Sequence, residues 1–153
     1  MIAPYWHDFD LRKGGTIYYR QTAEYYLLQS FHTLLLDNKV PDATIFDTAN
    51  LVIVTWDVVP PYGFSYNGTN TLQAVLATDG ANVSYVAFIY SDIQWGPGAQ
   101  IGFNGGGHGN AYFTLPGALS SNTLNISQMS NVGLPGLYIY RVDGKLCLQV
   151  NGT

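Results

Sequence analysis

The clearest pattern of apolar and polar positions runs from Thr71 to Gly107. Leu72, Ala74 and Leu76 alternate with Gln73, Val75 and Ala77, and Asp79-Gly80 then interrupts the run. A period of two places successive side chains on opposite faces of a strand. Asp-Gly between apolar runs signals a hairpin, because glycine takes positive φ without steric cost. The return segment, Tyr85 to Tyr90, has the β-branched and aromatic composition that pleated surfaces favour. A third piece, AQIGFNGGG, ends in glycines that must turn or pack closely. The middle of the chain is therefore predicted to be an antiparallel meander.

The flanking segments add strands and one helix. Ala49 to Val59 is strongly apolar and predicts a central strand, closed by Pro60-Pro61, which cannot donate to a ladder. Tyr62 to Asn70 reads as a loop. Leu27, Leu28, Phe31, Leu34 and Leu35 form one apolar stripe at helical spacing. Thr22 is the expected cap, Glu24 falls in the first turn, and Asn38 and Pro41 end the helix. Ile2 to Asp10 is extended, with Trp6, Asp8 and Asp10 on one side and Tyr5, His7 and Phe9 on the other. Arg12-Lys13-Gly14-Gly15 turns into a short strand, TIYYR. Ser120 to Asn131 is polar and irregular. Leu137 to Val142, Asp143-Gly144 and Lys145 to Val150 predict a second hairpin. The expected fold is mainly β (α+β): an antiparallel β-sandwich-like sheet with one amphipathic helix at about residues 23–37. The helix and the terminal hairpin are expected to close the sandwich. With no internal repeat and no linker, residues 1–153 are expected to form a single domain.

Composition changes the picture in one respect. Charged residues make up only 10% of the 153, Glu occurs once, and there are 12 tyrosines. An average soluble domain is about 25% charged. The surface must therefore be wetted by Ser, Thr, Asn and glycans, or be covered by a neighbour. A net charge of −4 with six Lys and Arg leaves no basic stripe for nucleic acid. No apolar run reaches the roughly 18 residues of a membrane span, and no basic start followed by an apolar stretch marks a signal peptide.

Four N-x-S/T triplets, at Asn67, Asn82, Asn125 and Asn151, lie in or beside predicted turns, where a glycan has room. They point to a secreted or luminal setting. Cys147 is the single cysteine. It reads either as a buried small hydrophobe or as half of an intermolecular or interdomain disulfide.

Candidate chemistry is sparse. Asp8 and Asp10 on one strand face, with His7 near, are candidates for a hard cation such as Ca²⁺, although two carboxylates fall short of its usual ligand set. The competing reading is a strand end whose aspartates are answered by Arg12 and Lys13. His32 lies at the edge of the helical stripe, where a packed or solvated role is expected. FNGGGHGN, residues 103–110, lacks the Lys-Ser/Thr or following helix of a phosphate loop. His108 has no nucleophile elbow and no acidic partner at a known spacing, so the segment reads as a hairpin loop. A hydrolase reading, His108 with aspartates, lacks the paired carboxylates such chemistry needs.

PYWHDFDLRKGGTIYYR, IVTWDVV, NTLQAVLATDG, AQIGFNGG, YFTLPGA and SNVGLPGLYIYRVDG occur in this order across nearly the whole chain. Together they resemble the NIDO domain, the extracellular module of nidogen, alpha-tectorin, membrane mucins and sushi-domain proteins. The resemblance implies a secreted or cell-surface mosaic protein, with roles in matrix, adhesion or filament assembly and no enzymatic activity. Two departures stand out. A strand-rich stretch with a VNNNG-like turn, usual ahead of this region, is absent, which suggests an excised domain with an added initiator methionine and an exposed sheet edge open to pairing. Gly96-Pro97-Gly98 replaces a longer insert.

The expected function is a non-catalytic extracellular interaction module. Its expected partners are extracellular or matrix proteins, neighbouring domains of the same chain, or a second copy of itself. The alternative is a Ca-assisted, lectin-like glycan-binding module, in which Trp95 and Tyr62 stack on sugars and Asp8 and Asp10 hold the ion.

Overall fold

The computed structural model describes residues 1–63, 66–105 and 112–143. Among them, eight strands form two antiparallel sheets. The strands are β1 (Ile2–Trp6), β2 (Thr16–Thr22), β3 (Asn50–Val59), β4 (Asn70–Thr78), β5 (Ser84–Ile93), β6 (Gln100–Asn104), β7 (Tyr112–Thr114) and β8 (Leu137–Arg141), with one α-helix, α1 (Tyr25–Asp37). The larger sheet has the order β2-β3-β4-β5-β8 and the smaller β1-β6-β7. This is the mainly β architecture with one helix that the alternation and the helical stripe predict.

Strand periodicity builds three layers. Leu72 and Ala74 of β4, Val86, Phe88 and Tyr90 of β5, and Tyr138 and Tyr140 of β8 face Tyr5, Ile101 and Phe103 of the smaller sheet. The alternate residues, Val75, Ala77, Tyr85, Ala87, Leu137 and Ile139, face Phe31 and Leu35 of α1. The helix therefore lies on the outer side of the larger sheet. It backs the sandwich instead of closing it, because β4, β5 and β8 are apolar on both faces and each face needs cover.

Several expectations are corrected. AQIGF does not continue the meander: β6 pairs with β1 and β7 in the other sheet, after a reversal in which Gly96 and Gly98 take φ of 86° and 85°. β3 stands next to the edge, and β4 is the central strand of the larger sheet. The helix begins at Tyr25, because Thr22 is still paired in β2 with Leu51. The Thr22 hydroxyl instead accepts from the Glu24 N–H (3.1 Å), and Glu24, outside the first turn, pairs with Arg20. At the other end Asn38 does terminate the helix, its amide donating to the Leu34 carbonyl (2.8 Å). Ser121–Gln128 is a 3₁₀ helix. β8 pairs with β5; the expected strand at Lys145 to Val150 lies outside the described residues.

The Asp79-Gly80 turn is present in a longer form. Asp79 to Val83 make a five-residue loop between β4 and β5. Asp79 Oδ1 accepts from the backbone N–H groups of Ala81 (2.9 Å), Asn82 (3.0 Å) and Val83 (3.0 Å). These bonds favour the ionised carboxylate, led by that from Val83, and hold its pKa below the usual value. A depressed folded-state pKa contributes stability that is full above the unfolded-state value and is lost as pH falls through the folded one. Asp79→Ala should therefore melt below the native chain at neutral pH, and the gap should close on acidification through the carboxylate range. Thermal melts at a series of pH values check this; a gap independent of pH would contradict it.

Val58 sits in a bulge of β3 with φ of 52°, half-exposed. A β-branched residue is strained there, whereas asparagine tolerates that region. Val58→Asn should stabilise the chain by about 1 kcal/mol, read as a higher Tm. A lower Tm would show that the valine side chain is needed where it is.

Candidate interaction surface

The most exposed apolar surface gathers on β2 and the start of α1. Among the described residues β2 is an edge strand, and six of its seven residues are exposed. Its register with β3 places Ile17, Tyr19 and Gln21 opposite Trp56, Val54 and Val52, and Tyr18 and Arg20 opposite Thr55 and Ile53. Cross-strand partners share a face. Tyr19 and Ile17 therefore stand on the side of the smaller sheet, and Tyr18 and Arg20 on the helix side. Tyr19 is 83% exposed and Tyr18 57%. Ala23 and Glu24 separate β2 from α1, which opens with Tyr25 (76% exposed) and Tyr26 (59% exposed). Four exposed tyrosines thus fall between residues 18 and 26. Tyrosine offers a large apolar face with a polar tip and little rotamer entropy, which suits it to protein interfaces. Arg20, the one charge on β2, is held by Glu24.

At the opposite end of β2, the aromatic residues turn inward. Trp95 is 1% exposed. The rings of Tyr5, His7, Phe9 and Tyr66 surround it, with centroids 5.1–6.4 Å away. Its indole N–H donates to the Val59 carbonyl (3.1 Å), and its own carbonyl accepts from the Tyr5 hydroxyl (2.6 Å) and the Asn70 amide (3.2 Å). Trp95 therefore has no face to offer a sugar, which removes it from the lectin-like reading. Tyr62 is exposed, and the Arg12 guanidinium lies 5.8 Å from its ring centroid.

The cation reading loses its second carboxylate. Both Asp10 oxygens are taken by Arg12: Oδ1 accepts from Nε (2.7 Å) and from the backbone N–H (3.2 Å), and Oδ2 from the other guanidinium nitrogen (2.9 Å). That hydrogen bonding holds the Asp10 carboxyl below the usual carboxylate range. Asp8 is exposed, and its N–H donates to Nδ1 of His7 (2.9 Å). Among the described residues no three His, Cys, Asp or Glu come together as a metal site would need. His32 is half-buried on α1. His108 and Cys147 lie outside the described residues.

Of the sequon asparagines, Asn67, Asn82 and Asn125 are exposed. Asn67 lies in the β3–β4 loop and Asn82 in the Asp79 loop. Asn125 sits within the 3₁₀ helix instead of a turn. Asn151 lies outside the described residues.

Buried tyrosines form the counterpart of the exposed ones. Burial raises the pKa of Tyr5 and Tyr90 well above the usual value and that of Tyr138 to about 12. A raised phenol pKa leaves stability intact below the unfolded-state value near 10 and removes it as pH climbs toward the folded value. The absorbance step of these three tyrosinates at 295 nm should therefore coincide with loss of the β-sheet circular dichroism signal. Ionisation of all 12 tyrosines with the fold intact would contradict it.

Sequence reasoning missed Asn70. This fully buried residue closes the Trp95 segment onto β4, its Oδ1 accepting from the N–H groups of Gln94 (2.8 Å) and Trp95 (3.2 Å). Its only trace in the sequence is an asparagine opening an apolar strand.

Several known proteins are similar to this chain. Mouse alpha-tectorin is 36% identical over 167 positions, covering 99% of this chain and 8% of the tectorin. The alignment is longer than the chain's own 153 residues, so the relative carries insertions. Dendrite extension defective protein 1 of Caenorhabditis elegans is 31% identical over 93% of the chain and 12% of its own length. Rat nidogen-1 is 26% identical over 92% of the chain and 50% of the matched sequence. The chain thus spans less than a tenth of the alpha-tectorins it matches. No solved structure matches it. It is an extracellular domain, as its relatives alpha-tectorin, nidogen and mucin-4 are extracellular. The Nidogen-like domain family, NIDO, matches residues 1–144, and the chain belongs to that family.

Proposed function

We propose that this domain is a non-catalytic interaction module of an extracellular matrix, adhesion or filament-forming protein. The observation that carries the proposal is the concentration of four exposed tyrosines on the two faces of β2, an edge strand among the described residues, and on the adjoining start of α1. In a chain with so few charges, such a concentration is what partner contacts use as anchors. Two further points support it. Half-buried His7 and buried Asp10 and Tyr5 are all engaged in packing or hydrogen bonds, and the family's relatives are structural and matrix proteins. Partners are extracellular proteins, neighbouring domains of the parent chain, or another copy of the domain.

Glycans on Asn67, Asn82 and Asn125 would supply the hydration that the missing charges do not. Secretory expression followed by enzymatic deglycosylation should give a gel shift; no shift would count against glycosylation.

The test of the interaction role is binding of the immobilised chain to solubilised extracellular-matrix protein and to itself. Saturable binding to either is the expected result. Its absence from both, at concentrations well above those of weak extracellular contacts, would overturn the proposal.

A further inference from the structure

We infer that β2 is a homotypic edge: two copies of this chain pair their β2 strands antiparallel, about a two-fold axis through Tyr19, and join their larger sheets into one. The inference rests on the interaction-module reading and adds the occupant and the register.

The edge itself is the first ground. An end strand presents a row of unpaired N–H and C=O groups, which proteins usually blunt with proline, lysine, a bulge or shortness. The edges of the smaller sheet are blunted in this way. β1 carries Pro4 and an irregular register, and β7 is three residues long. β2 has neither proline nor lysine, and its ladder with β3 is unbroken over all seven residues.

Self-complementarity is the second. A two-fold axis perpendicular to a sheet keeps each face on its own side, so only registers centred on a residue are allowed. Centred on Tyr19, the strand TIYYRQT pairs all seven of its residues: Thr16 with Thr22, Ile17 with Gln21, Tyr18 with Arg20, and Tyr19 with its own copy. On the helix side each guanidinium then faces a tyrosine ring, a cation–π arrangement made twice. On the other side the two Tyr19 rings meet, an aromatic cross-strand pair. Centring on Arg20 would set two guanidiniums opposite each other, which is destabilising. Centring on Tyr18 would leave Gln21 and Thr22 facing Gly15 and Gly14, outside the strand.

Sequon placement is the third and is independent of the other two. No N-x-S/T triplet occurs before Asn67. The segments that surround the edge, β2, α1 and β3, are therefore free of glycan acceptors, and those in the described residues lie on the β3–β4 loop, the β4–β5 loop and the 3₁₀ helix. A glycan beside β2 would block pairing.

The test is sedimentation equilibrium of the 153-residue chain over rising concentration, for the native sequence, Tyr19→Lys and Tyr112→Lys. Tyr112 is similarly exposed but lies on β7. A concentration-dependent dimer is expected. Tyr19→Lys places two ammonium groups opposite each other and should weaken the dimer roughly tenfold or more. Tyr112→Lys should leave it unchanged, and circular dichroism should show both variants folded.

Register is read by cross-linking in a Cys147→Ser background. Tyr19→Cys should oxidise to a covalent dimer, since directly opposed antiparallel residues lie about 4.5–5.5 Å apart at Cα, within disulfide reach. Ile17→Cys should link to Gln21→Cys in preference to itself. A monomer at every concentration would overturn the inference, and so would a dimer that Tyr19→Lys leaves intact or self-linking of Ile17→Cys. If the chain stays monomeric yet binds extracellular-matrix protein, the homotypic edge falls and the interaction module stands.

Discussion

Trp95→Ala is expected to cost about 3–5 kcal/mol, lowering Tm by roughly 10 °C or more for a domain of this size. Two consequences add together, in a segment that joins the two sheets. Removing the indole opens a cavity between Tyr5, His7, Phe9 and Tyr66, whose rings pack on it edge-on or stacked. The Val59 carbonyl loses its buried donor, and a buried acceptor without a partner costs its desolvation. In that segment Tyr5 of β1 donates to the Trp95 and Gly96 carbonyls, at 2.6 and 3.0 Å. Trp6→Ala is the control. Trp6 is 60% exposed, and its loss should change stability by no more than about 0.5 kcal/mol. Equal effects of the two substitutions in thermal melts would contradict the packing described for this end of the sandwich.

Gly102→Ala should be at least as damaging, at about 4 kcal/mol or more. A Cβ built on Gly102 would lie 1.9 Å from the Phe113 carbonyl oxygen and 2.9 Å from its carbon. Both are backbone atoms of the paired strand β7, which cannot swing aside as a side chain can. The strands must separate, which breaks the bond from the Leu115 N–H to the Ile101 carbonyl (2.9 Å) and loosens the stack of Phe103, Phe113 and Tyr140. Gly98→Ala provides the comparison. Gly98 also has positive φ, but a Cβ added there would meet no heavy atom within 4 Å, so only backbone strain of about 1–2 kcal/mol is expected. Denaturant titration of both variants would show the difference; similar midpoints would contradict it.

Local signals in the sequence are legible and non-local ones are not. The apolar stripe from Leu27 to Leu35 depends only on helical spacing, and α1 forms there. The alternation from Leu72 to Ala77 correctly assigns the two faces of β4. Asp79-Gly80 marks the turn, but its five-residue form follows from a carboxylate that reaches three successive N–H groups, which the dipeptide does not reveal. AQIGF reads equally well as a neighbour of β5 or of β1; the choice depends on the N-terminal strand, about a hundred residues away. The place of Trp95 is hidden for a similar reason. Beside Gly-Pro-Gly it resembles a loop aromatic, and its burial is set by Asn70, 25 positions earlier, and Val59, 36 earlier. The edge position of β2 does leave a trace: TIYYRQT has no polar face, and apolar and polar residues fall on both sides, as on a strand with neither face buried.

The proposed interaction role rests on the exposed tyrosines and stability on the layers beneath them, so the most direct measurement separates the two. A variant with Tyr18, Tyr19, Tyr25 and Tyr26 all replaced by serine should keep its Tm within a few degrees, because exposed substitutions rarely exceed about 0.5 kcal/mol each. The same variant should lose saturable binding to extracellular-matrix protein and to the native domain by roughly 30-fold or more. Undiminished binding by a folded variant would contradict the account.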